Sequence, residues 1–286
     1  TTFIDTILKH EHNGRIHADI NQIRSDDGGT VTGRFSYSNP NLQQIPARHK
    51  ELGPLIRSLF IPEEGHRWGC FDYSQQEPRI LVHFASIMDM QGTDNIVESY
   101  REGSADFHQM IADIAGIERK QAKTINLGIM YGMGKNKLMA ELGMMQESAE
   151  KLLKTYHEKA PFVKMLSEAA ARQADDAGVI RTLGGRRCHF DLWQPRQFGI
   201  NKPLPQAEAL KEYGPGIKRA FTYKALNKLI QGSAADMTKK AMLALYREGV
   251  IPHIQIHDEL DISIQSPVDA EKIIGIMEEA VKLQVP

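Results

Sequence analysis

One stretch of the chain, residues 118–133, carries cationic and aromatic side chains at a helical spacing. It contains no proline, so we predict one helix, in which residues four apart share a face. That face presents, in order, Arg119, Lys123, Leu127 and Tyr131. Cations followed by a ring suit a ligand with phosphates at one end and a flat base at the other, such as a nucleoside triphosphate. The alternative is an ordinary amphipathic helix with a solvated basic edge, because the opposite face is apolar at Ala122, Ile125 and Ile129.

Two aspartates elsewhere lie where strands are predicted to end. His66–Phe71 reads as a strand leading into Asp72, and Asp258 occupies a tight bend between two other predicted strands. Their carboxylates can meet only if these strands are neighbours. Paired carboxylates suit Mg²⁺, which prefers hard oxygen ligands, and we expect no Cys or His cluster to compete for the ion. Each feature alone is common and usually inert.

The elements that must position these residues can be predicted in outline. Helices are expected at 106–117, 146–157, 161–176, 218–248 and 268–283, and an extended segment with a basic turn at 179–191. Residues 192–216 contain four prolines and three glycines without a hydrophobic period, so we predict a long loop, which looks like an insertion. Asp26 and Asp27 lie beside two glycines, and we interpret them as a solvated loop and not as a metal pair.

Composition narrows the function classes. A chain of 286 residues can bury a substantial core, and a net charge of −1 argues against a protein that coats DNA without regard to sequence. The only two cysteines, Cys70 and Cys188, are too few for a disulfide framework or a zinc cage, which favours a reducing compartment. No signal peptide or bilayer-spanning apolar run is visible, so we expect a cytoplasmic protein, or one in the host-cell cytoplasm if the source is viral.

Three motifs, in order along the chain, resemble those of family A DNA polymerases, the DNA polymerase I type. They are DYSQQEPRI at Asp72–Ile80, RKQAKTINLGIMYG at Arg119–Gly132 and QIHDEL at Gln255–Leu260. The similarity also includes Thr32–Arg48 and Asn227–Asp236, so it covers most of the chain from about residue 30 onward. Three long motifs in the right order are a specific signal.

The resemblance implies an α+β fold with a right-hand polymerase architecture: an antiparallel palm sheet, a helical fingers insertion and a thumb that is mostly absent. The implied domains are palm with a thumb-base remnant at 1–99, fingers at 100–176 and palm again at 177–286. The implied reaction is template-directed addition of dNTPs to a primer 3′-hydroxyl, with two Mg²⁺ ions as cofactors and release of pyrophosphate. The implied partners are primer-template DNA, dNTPs and a separate or missing segment that carries thumb and exonuclease.

Residue roles follow from the resemblance, position by position. Catalysis is assigned to Asp72, Asp258, Glu259 and Lys123, with Lys123 as the proton donor to pyrophosphate. Metal ligation is assigned to Asp72, Asp258 and the main-chain carbonyl of Tyr73. The dNTP contacts are assigned to Arg119, Lys123, Leu127, Tyr131, His108, Glu77, Gln76 and Tyr73. The DNA contacts are assigned to Arg34, Asn41, Gln43, Gln44, Asn227, Gln231 and His257.

One position departs from the family pattern. The family carries Phe or Tyr where this chain has Leu127, so the ring expected beside the incoming sugar is missing. Two rival functions remain: a single-subunit RNA polymerase or reverse transcriptase, and a non-catalytic nucleic-acid-binding remnant. Glu77 and the HDEL form of the last motif disfavour the first, and the presence of both aspartates disfavours the second.

Overall fold

The computed structural model describes residues 2–23, 29–46, 49–197, 199 and 202–286. The helices in these ranges are α1 (Thr2–Leu8), α2 (Leu52–Arg57), α3 (Gln76–Ile87), α4 (Thr93–Arg101), α5 (Phe107–Ala115), α6 (Arg119–Met130), α7 (Lys135–Leu142), α8 (Gln146–Lys159), α9 (Pro161–Ala177), α10 (Gln206–Tyr213), α11 (Ala225–Arg247) and α12 (Pro267–Glu279). The strands are β1 (Glu11–His12), β2 (Arg15–Ile16), β3 (Asp19–Asn21), β4 (Ser36–Ser38), β5 (Arg67–Asp72), β6 (Val179–Arg181), β7 (Arg187–His189), β8 (Leu192–Pro195), β9 (Leu204–Pro205), β10 (Ile217–Arg219), β11 (Ile254–Ile256) and β12 (Glu259–Ile264). Among these helices, none combines the length and apolarity needed to cross a bilayer.

The chain divides into two compact units. Unit 1 comprises Thr1–Gln76 and Gln231–Lys282, and unit 2 comprises Glu77–Ile230 and Leu283–Pro286. These units are defined by their compactness, whereas palm and fingers are defined by their function. The division into units therefore does not test the predicted palm and fingers boundaries at residues 99 and 176, which stay predictions.

Unit 1 is built on a three-stranded antiparallel sheet with the strand order β11-β12-β5. Side chains alternate between its faces, so Phe71, Leu260 and Ile262 share the side that packs against Leu245 of α11 and Ile273 of α12. These residues are at most 8% exposed and form one hydrophobic core. The other face carries the acidic side chains of β5 and β12 together with apolar side chains of β11, which belong to a second core.

A second core in unit 1 holds the segment between β4 and α2 against β11. Tyr37, Leu42 and Ile45 are buried together with Ile254. The backbone N–H of Gln255 donates to the hydroxyl of Tyr37 at 3.3 Å. The polar stretch at residues 32–46 is thus held in place by burial of the few apolar side chains that interrupt it.

Unit 2 is mainly helical, and α5 packs along α6. A ring cluster supports α5: the centroid of Phe107 lies 6.4 Å from that of Tyr100 and 6.0 Å from that of Phe162, which is perpendicular to it. Offset and edge-to-face rings at such distances pack favourably. Together with the fully buried Tyr156 of α8, these residues are part of the buried core of unit 2.

The prediction of a long loop at 192–216 was wrong. This segment contains β8, β9 and α10, and it forms a three-stranded sheet in the order β10-β8-β9. The prolines do not prevent this, because Pro205 lies on the edge strand β9 and then caps α10, where no ladder hydrogen bond is required of it. The guanidinium of Arg219 stacks on the ring of Trp193 at 4.6 Å and fixes β10 against β8.

The prediction of one helix over 218–248 was also wrong at its start. Residues Ile217–Arg219 form β10, a short 3₁₀ helix follows at Thr222–Lys224, and α11 begins only at Ala225. Phe221 has a φ of 61°, a left-handed conformation that cannot continue a right-handed helix. The lysines and apolar residues of this stretch are spaced as in a helix, but strand pairing determines the structure at its start.

Candidate active site

At one end of the unit 1 sheet, two acidic residues form a cross-strand pair. Asp72, the last residue of β5, is the direct antiparallel partner of Glu259, the first residue of β12. Asp258 precedes Glu259 in the two-residue turn from β11, where His257 adopts a φ of 59°. Positive φ suits such turns because it matches the twist of the paired strands. The strands are neighbours, as a meeting of Asp72 with Asp258 requires.

The pKa of Glu259 reflects the negative charge of the carboxylates around it. It is raised, first by burial and then by the charges of Asp261, Asp72 and Asp258. Like charges held together disfavour ionisation, and a bound cation relieves that penalty. The donors are carboxylate oxygens, which Mg²⁺ prefers. The chemistry of this donor set therefore fits the cofactor expected from the sequence.

Two neighbouring residues with predicted nucleotide contacts have side chains anchored inside unit 1. The hydroxyl of Tyr73 donates to the carbonyl of Met277 at 2.7 Å, and burial raises the pKa of the Tyr73 phenol. Gln76 is 4% exposed, and its amide donates to the hydroxyl of Thr238 at 3.3 Å. Their nucleotide contacts stay predictions, and the metal-ligand role of Tyr73 concerns only its main-chain carbonyl.

A cysteine lies beside the acidic residues. The Cys70 thiol and the carboxylates of Glu259 and Asp261 offer ligand atoms within 4.8 Å of one another. Cys70 is the cross-strand partner of Asp261, two residues along from the Asp72–Glu259 pair. Sequence reasoning missed this group because its residues approach one another only through strand register.

Helix α6 presents the predicted cationic face. Arg119 and Lys123 are exposed one turn apart, and Leu127 is half-buried one turn further on. The opposite face is buried, as predicted, at Ala122, Ile125 and Ile129. The cations are thus displayed on a helix whose position is fixed by apolar packing.

Tyr131 does not continue the helix but caps it. Gly132 adopts a φ of 82°, its N–H donates to the carbonyl of Ile129 at 3.0 Å, and the N–H of Met133 donates to that of Gly128 at 2.8 Å. This is the Schellman arrangement, which needs a residue in the left-handed region and favours glycine there. The Tyr-Gly sequence therefore places the ring at the helix end instead of on its third turn.

Asp106 is a partner of Arg119 that sequence reasoning missed. One carboxylate oxygen accepts from the backbone N–H groups of His108 and Gln109 at 2.9 and 3.0 Å and caps α5. The other accepts from Nε of Arg119 at 2.7 Å. Burial favours a higher pKa for Asp106, but these hydrogen bonds outweigh it and the pKa is lowered. Asp106 therefore stays ionised as the partner of Arg119.

The side chain of His108 is buried and hydrogen-bonded. It is 4% exposed, and its Nδ1 lies 3.1 Å from the side-chain nitrogen of Asn126, whose oxygen accepts from the hydroxyl of Tyr156 at 3.3 Å. Because the tyrosine can donate to the amide oxygen, the amide nitrogen is directed at Nδ1 and the imidazole proton is assigned to Nε2. Burial lowers the pKa of His108. The chain of hydrogen bonds thus holds a neutral imidazole with one defined donor.

A further hydrogen bond inside unit 2 joins two predicted nucleotide-binding residues. The hydroxyl of Tyr131 donates to a carboxylate oxygen of Glu77 at 2.5 Å. Both side chains are half-buried. Glu77 is therefore held in place and does not move freely in solvent.

The residues predicted to contact DNA include several with structural partners. Asn41 caps the short helix Leu42–Gln44 by accepting from the N–H of Gln43 at 3.1 Å. The side-chain amide of Gln43 donates to that of Gln255 at 3.1 Å, while Gln44 is exposed. Ordered amides of this kind are suited to reading groove acceptors.

The remaining DNA-contact candidates lie on α11 and around a small cavity. Asn227 and Gln231 are one turn apart on α11, and both are half-buried. Arg34 and His257 line the cavity together with Lys239. Three residues discussed from the sequence, Arg48, Asp26 and Asp27, lie outside the described residues.

The predicted site residues are distributed over both compact units. Unit 1 holds Arg34, Asn41, Gln43, Gln44, Asp72, Tyr73, Gln76, Gln231, His257, Asp258 and Glu259. Unit 2 holds Glu77, His108, Arg119, Lys123, Leu127, Tyr131 and Asn227. Each unit therefore brings together a chemically coherent set, carboxylates in the first and cations with a ring in the second.

Comparison with known proteins identifies the family of this chain. The model for DNA polymerase family A matches residues 1–286. A DNA-directed DNA polymerase of Pseudomonas phage M6 is 36% identical over all of this chain and 47% of its own length. The thermostable DNA polymerase I of Thermus thermophilus is 33% identical over all of this chain and 33% of its own length. The chain belongs to the family A DNA polymerases.

A solved structure is similar over the whole chain as well. The POL domain of Pol1 from M. smegmatis, in complex with DNA primer-template and dNTP, matches with a TM-score of 0.78 and 27% sequence identity, covering 100% of this chain and 48% of that one. The chain thus spans less than half the length of each of these relatives.

Proposed function

We propose that this chain catalyses template-directed DNA synthesis, adding dNTPs to a primer 3′-hydroxyl with release of pyrophosphate. The observation that carries the proposal is the cross-strand pairing of Asp72 with Glu259, beside Asp258, in a chain that matches the polymerase family along its length. The naming of its relatives as DNA polymerases supports the same reaction.

Asp72 and Asp258 would hold two Mg²⁺ ions, with the main-chain carbonyl of Tyr73 as a further ligand. Such ions would lower the pKa of the attacking hydroxyl and neutralise charge on the triphosphate. Glu259 lies opposite Asp72 and is partly buried. We assign it to the support of the primer end, since its raised pKa suits a hydrogen-bonding role as well as ionic contact.

The cationic face of α6 would bind the triphosphate. Lys123 is exposed, and it would donate a proton to the departing pyrophosphate. Arg119 would exchange its ion pair with Asp106 for a bidentate contact with phosphate oxygens. The neutral imidazole of His108 would add a hydrogen-bond donor through Nε2, which is why its tautomer matters.

Nucleotide selection would depend on Glu77, Leu127 and Tyr131. The carboxylate of Glu77, held by Tyr131, would close the space that a 2′-hydroxyl needs. Tyr131 would stack near the templating base, and Leu127 would lie beside the incoming sugar. Gln76 would also contact the nucleotide, with its side-chain amide hydrogen-bonded to Thr238.

The macromolecular partner would be primer-template DNA, which is what the similar M. smegmatis structure contains. Its contacts would come from Arg34, Asn41, Gln43, Gln44, Asn227, Gln231 and His257. Thumb and exonuclease functions would be provided by further polypeptide, in keeping with the greater length of the relatives. We place the activity in the cytoplasm, or in the host-cell cytoplasm if the source is a phage.

Primer extension tests the proposal. The protein with Mg²⁺ should extend a primer with dNTPs and not with NTPs. Asp72→Asn and Asp258→Asn should each abolish extension, because one hard ligand charge is lost, while duplex binding measured by fluorescence anisotropy stays largely intact. Asp176→Asn, at an exposed position of α9, is the matched control and should extend normally.

Two results would count against it. Normal extension by either active-site variant would rule out the two-metal assignment. A wild-type protein that binds duplex and dNTP but adds no nucleotide would rule out the polymerase proposal itself.

A further inference from the structure

The thiol–carboxylate group formed by Cys70, Glu259 and Asp261 has the composition of a metal site of a different kind. Its ligand atoms lie within 4.8 Å of one another. Glu259 and Asp261 are two residues apart on β12, and Cys70 is paired with Asp261 on β5, so all three side chains leave the same face of the sheet. A rigid antiparallel ladder therefore determines their spacing.

Asp261 supplies an independent indication that something is bound here. It is 6% exposed, yet its Oδ1 is buried and has no hydrogen-bond partner among the described residues. The Asp261 carboxyl hydrogen-bonds with the Cys70 thiol, and the charges of Arg57 and His253 also influence its pKa. None of these groups bonds to Oδ1. A buried carboxylate oxygen without a partner is costly, and native structures satisfy nearly all such groups with protein, water or an ion.

We propose that Cys70, Glu259 and Asp261 bind one thiophilic divalent cation, with Zn²⁺ as the expected ion, at a site separate from the Asp72–Asp258 pair. A thiolate with two carboxylates favours Zn²⁺ over Mg²⁺, which takes oxygen ligands. Zn–S distances of about 2.3 Å and Zn–O distances of about 2.0–2.2 Å place ligand atoms about 3.5 Å apart, a small contraction from the present spacing. The exposed side of Cys70 leaves the fourth position to water or another ligand.

Binding at this site releases a proton. The S–H bond must break as the metal–sulfur bond forms, and the proton passes to solvent.

Titration with Co²⁺ alone, without DNA or nucleotide and with Mg²⁺ in excess, tests the site. Cobalt bound to a thiolate gives a sulfur-to-metal charge-transfer absorption that oxygen ligands do not give. The wild-type protein should show this absorption at one equivalent, and Zn²⁺ should displace it. Cys70→Ala should abolish it, and the matched variant Cys188→Ala, at the other cysteine, should retain it.

The acidic ligands are tested in the same way. Asp261→Asn should weaken Co²⁺ binding by at least about tenfold, since loss of groups that merely orient a ligand already costs 10–100-fold. Asp72→Asn should keep the absorption, because that carboxylate belongs to the other site. Thermal unfolding in EDTA verifies that each variant is folded, and Zn²⁺ should raise the Tm of the wild type but not that of Cys70→Ala.

The proposal does not depend on the polymerase assignment. It is overturned if the wild type shows no charge-transfer absorption, or if the absorption persists in Cys70→Ala. Unchanged affinity in Asp261→Asn would equally overturn the three-ligand site and leave Cys70 and Asp261 as a hydrogen-bonded pair.

Discussion

At the scale of single residues, Glu77 shows how a carboxylate can serve as a steric wall. Its bond from the Tyr131 hydroxyl, at 2.5 Å, fixes a side chain that is half-buried at the first turn of α3. A fixed wall can reject the wrong sugar more strongly than the absence of one favourable contact.

Glu77→Ala should therefore admit ribonucleotides while weakening the use of deoxynucleotides. The measurement is the ratio of kcat/KM for a dNTP over its matching NTP, which we expect to fall by about tenfold or more. Tyr131→Phe is the matched control, since it removes the hydrogen bond but leaves the carboxylate, and it should lower the ratio less. An unchanged ratio in Glu77→Ala would remove Glu77 from the sugar site.

Leu127 permits a second test at this scale. A branched aliphatic side chain lacks the flat face and edge dipole of a ring, so Leu127→Phe should change the selection between deoxy- and dideoxynucleotides or the rate of incorporation. Leu127→Met, which keeps an aliphatic side chain of similar volume, should behave like the wild type. If single-nucleotide kinetics are the same for all three proteins, position 127 does not face the incoming sugar.

At the scale of elements, α5, α6 and α8 are joined by the buried chain of His108, Asn126 and Tyr156. Tyr156→Phe removes the hydroxyl that orients the Asn126 amide and leaves its buried oxygen unpaired, at a cost of about 1–3 kcal/mol in the free energy of unfolding. Urea denaturation measures that loss.

A merely structural role for Tyr156 would not alter the imidazole. We expect nitrogen NMR of His108 to show the Nε2–H tautomer in the wild type and a mixture in Tyr156→Phe. Tyr213→Phe, which removes a hydroxyl bonded to Lys202 at an exposed position, should alter neither the tautomer nor the stability appreciably. A single tautomer in both variants would show that the amide is oriented by other means.

Helices and strands could be predicted where the pattern of their residues lies within one short stretch of the sequence. The apolar back of α6 and the pair of strands around the bend at Asp258 are local, and both predictions were confirmed. The start of α11 depended on the left-handed Phe221, and the sheet of β8, β9 and β10 depended on pairing between distant segments. Neither leaves a period in the sequence, so prolines and glycines were wrongly interpreted as a loop.

The residues of the candidate site, too, could be predicted only where their pattern in the sequence is local. Motif spacing indicated Asp72, Asp258, Arg119 and Lys123 because they belong to long local patterns. Asp106, Asn126 and Asp261 were missed, since their importance lies in contacts between elements. The helix-capping position of Asp106, directly before an apolar helical run, was the one available signal.

At the scale of the whole molecule, buried histidines link stability to pH. Burial lowers the pKa of His108. The unfolded chain then binds more protons than the folded one below pH about 6.5, so the stability from a neutral His108 is complete above that pH and is lost as pH falls through it. His108→Gln should therefore show a smaller fall in unfolding free energy between pH 7.5 and 5.5 than the wild type.

Urea denaturation of both proteins at the two pH values measures the difference. Glu259 and Asp261, whose pKa values are raised, act in the opposite direction, but their contribution cancels in the comparison. His17→Gln, at an exposed position, is the control and should follow the wild type. Equal pH dependence in His108→Gln and the wild type would show that His108 is not held neutral by the fold.

The two carboxylate oxygens of Asp106 have different hydrogen-bond partners, and this determines how fast Arg119 can leave. One oxygen holds the α5 cap through two amides, and only the other is occupied by Arg119. Departure of the guanidinium therefore leaves the helix end intact. Because the arginine side chain is 51% exposed, its departure needs only side-chain rotation, which takes picoseconds to nanoseconds, whereas local unfolding takes microseconds or longer. Arg119 can thus change partners far faster than the helices around it can rearrange.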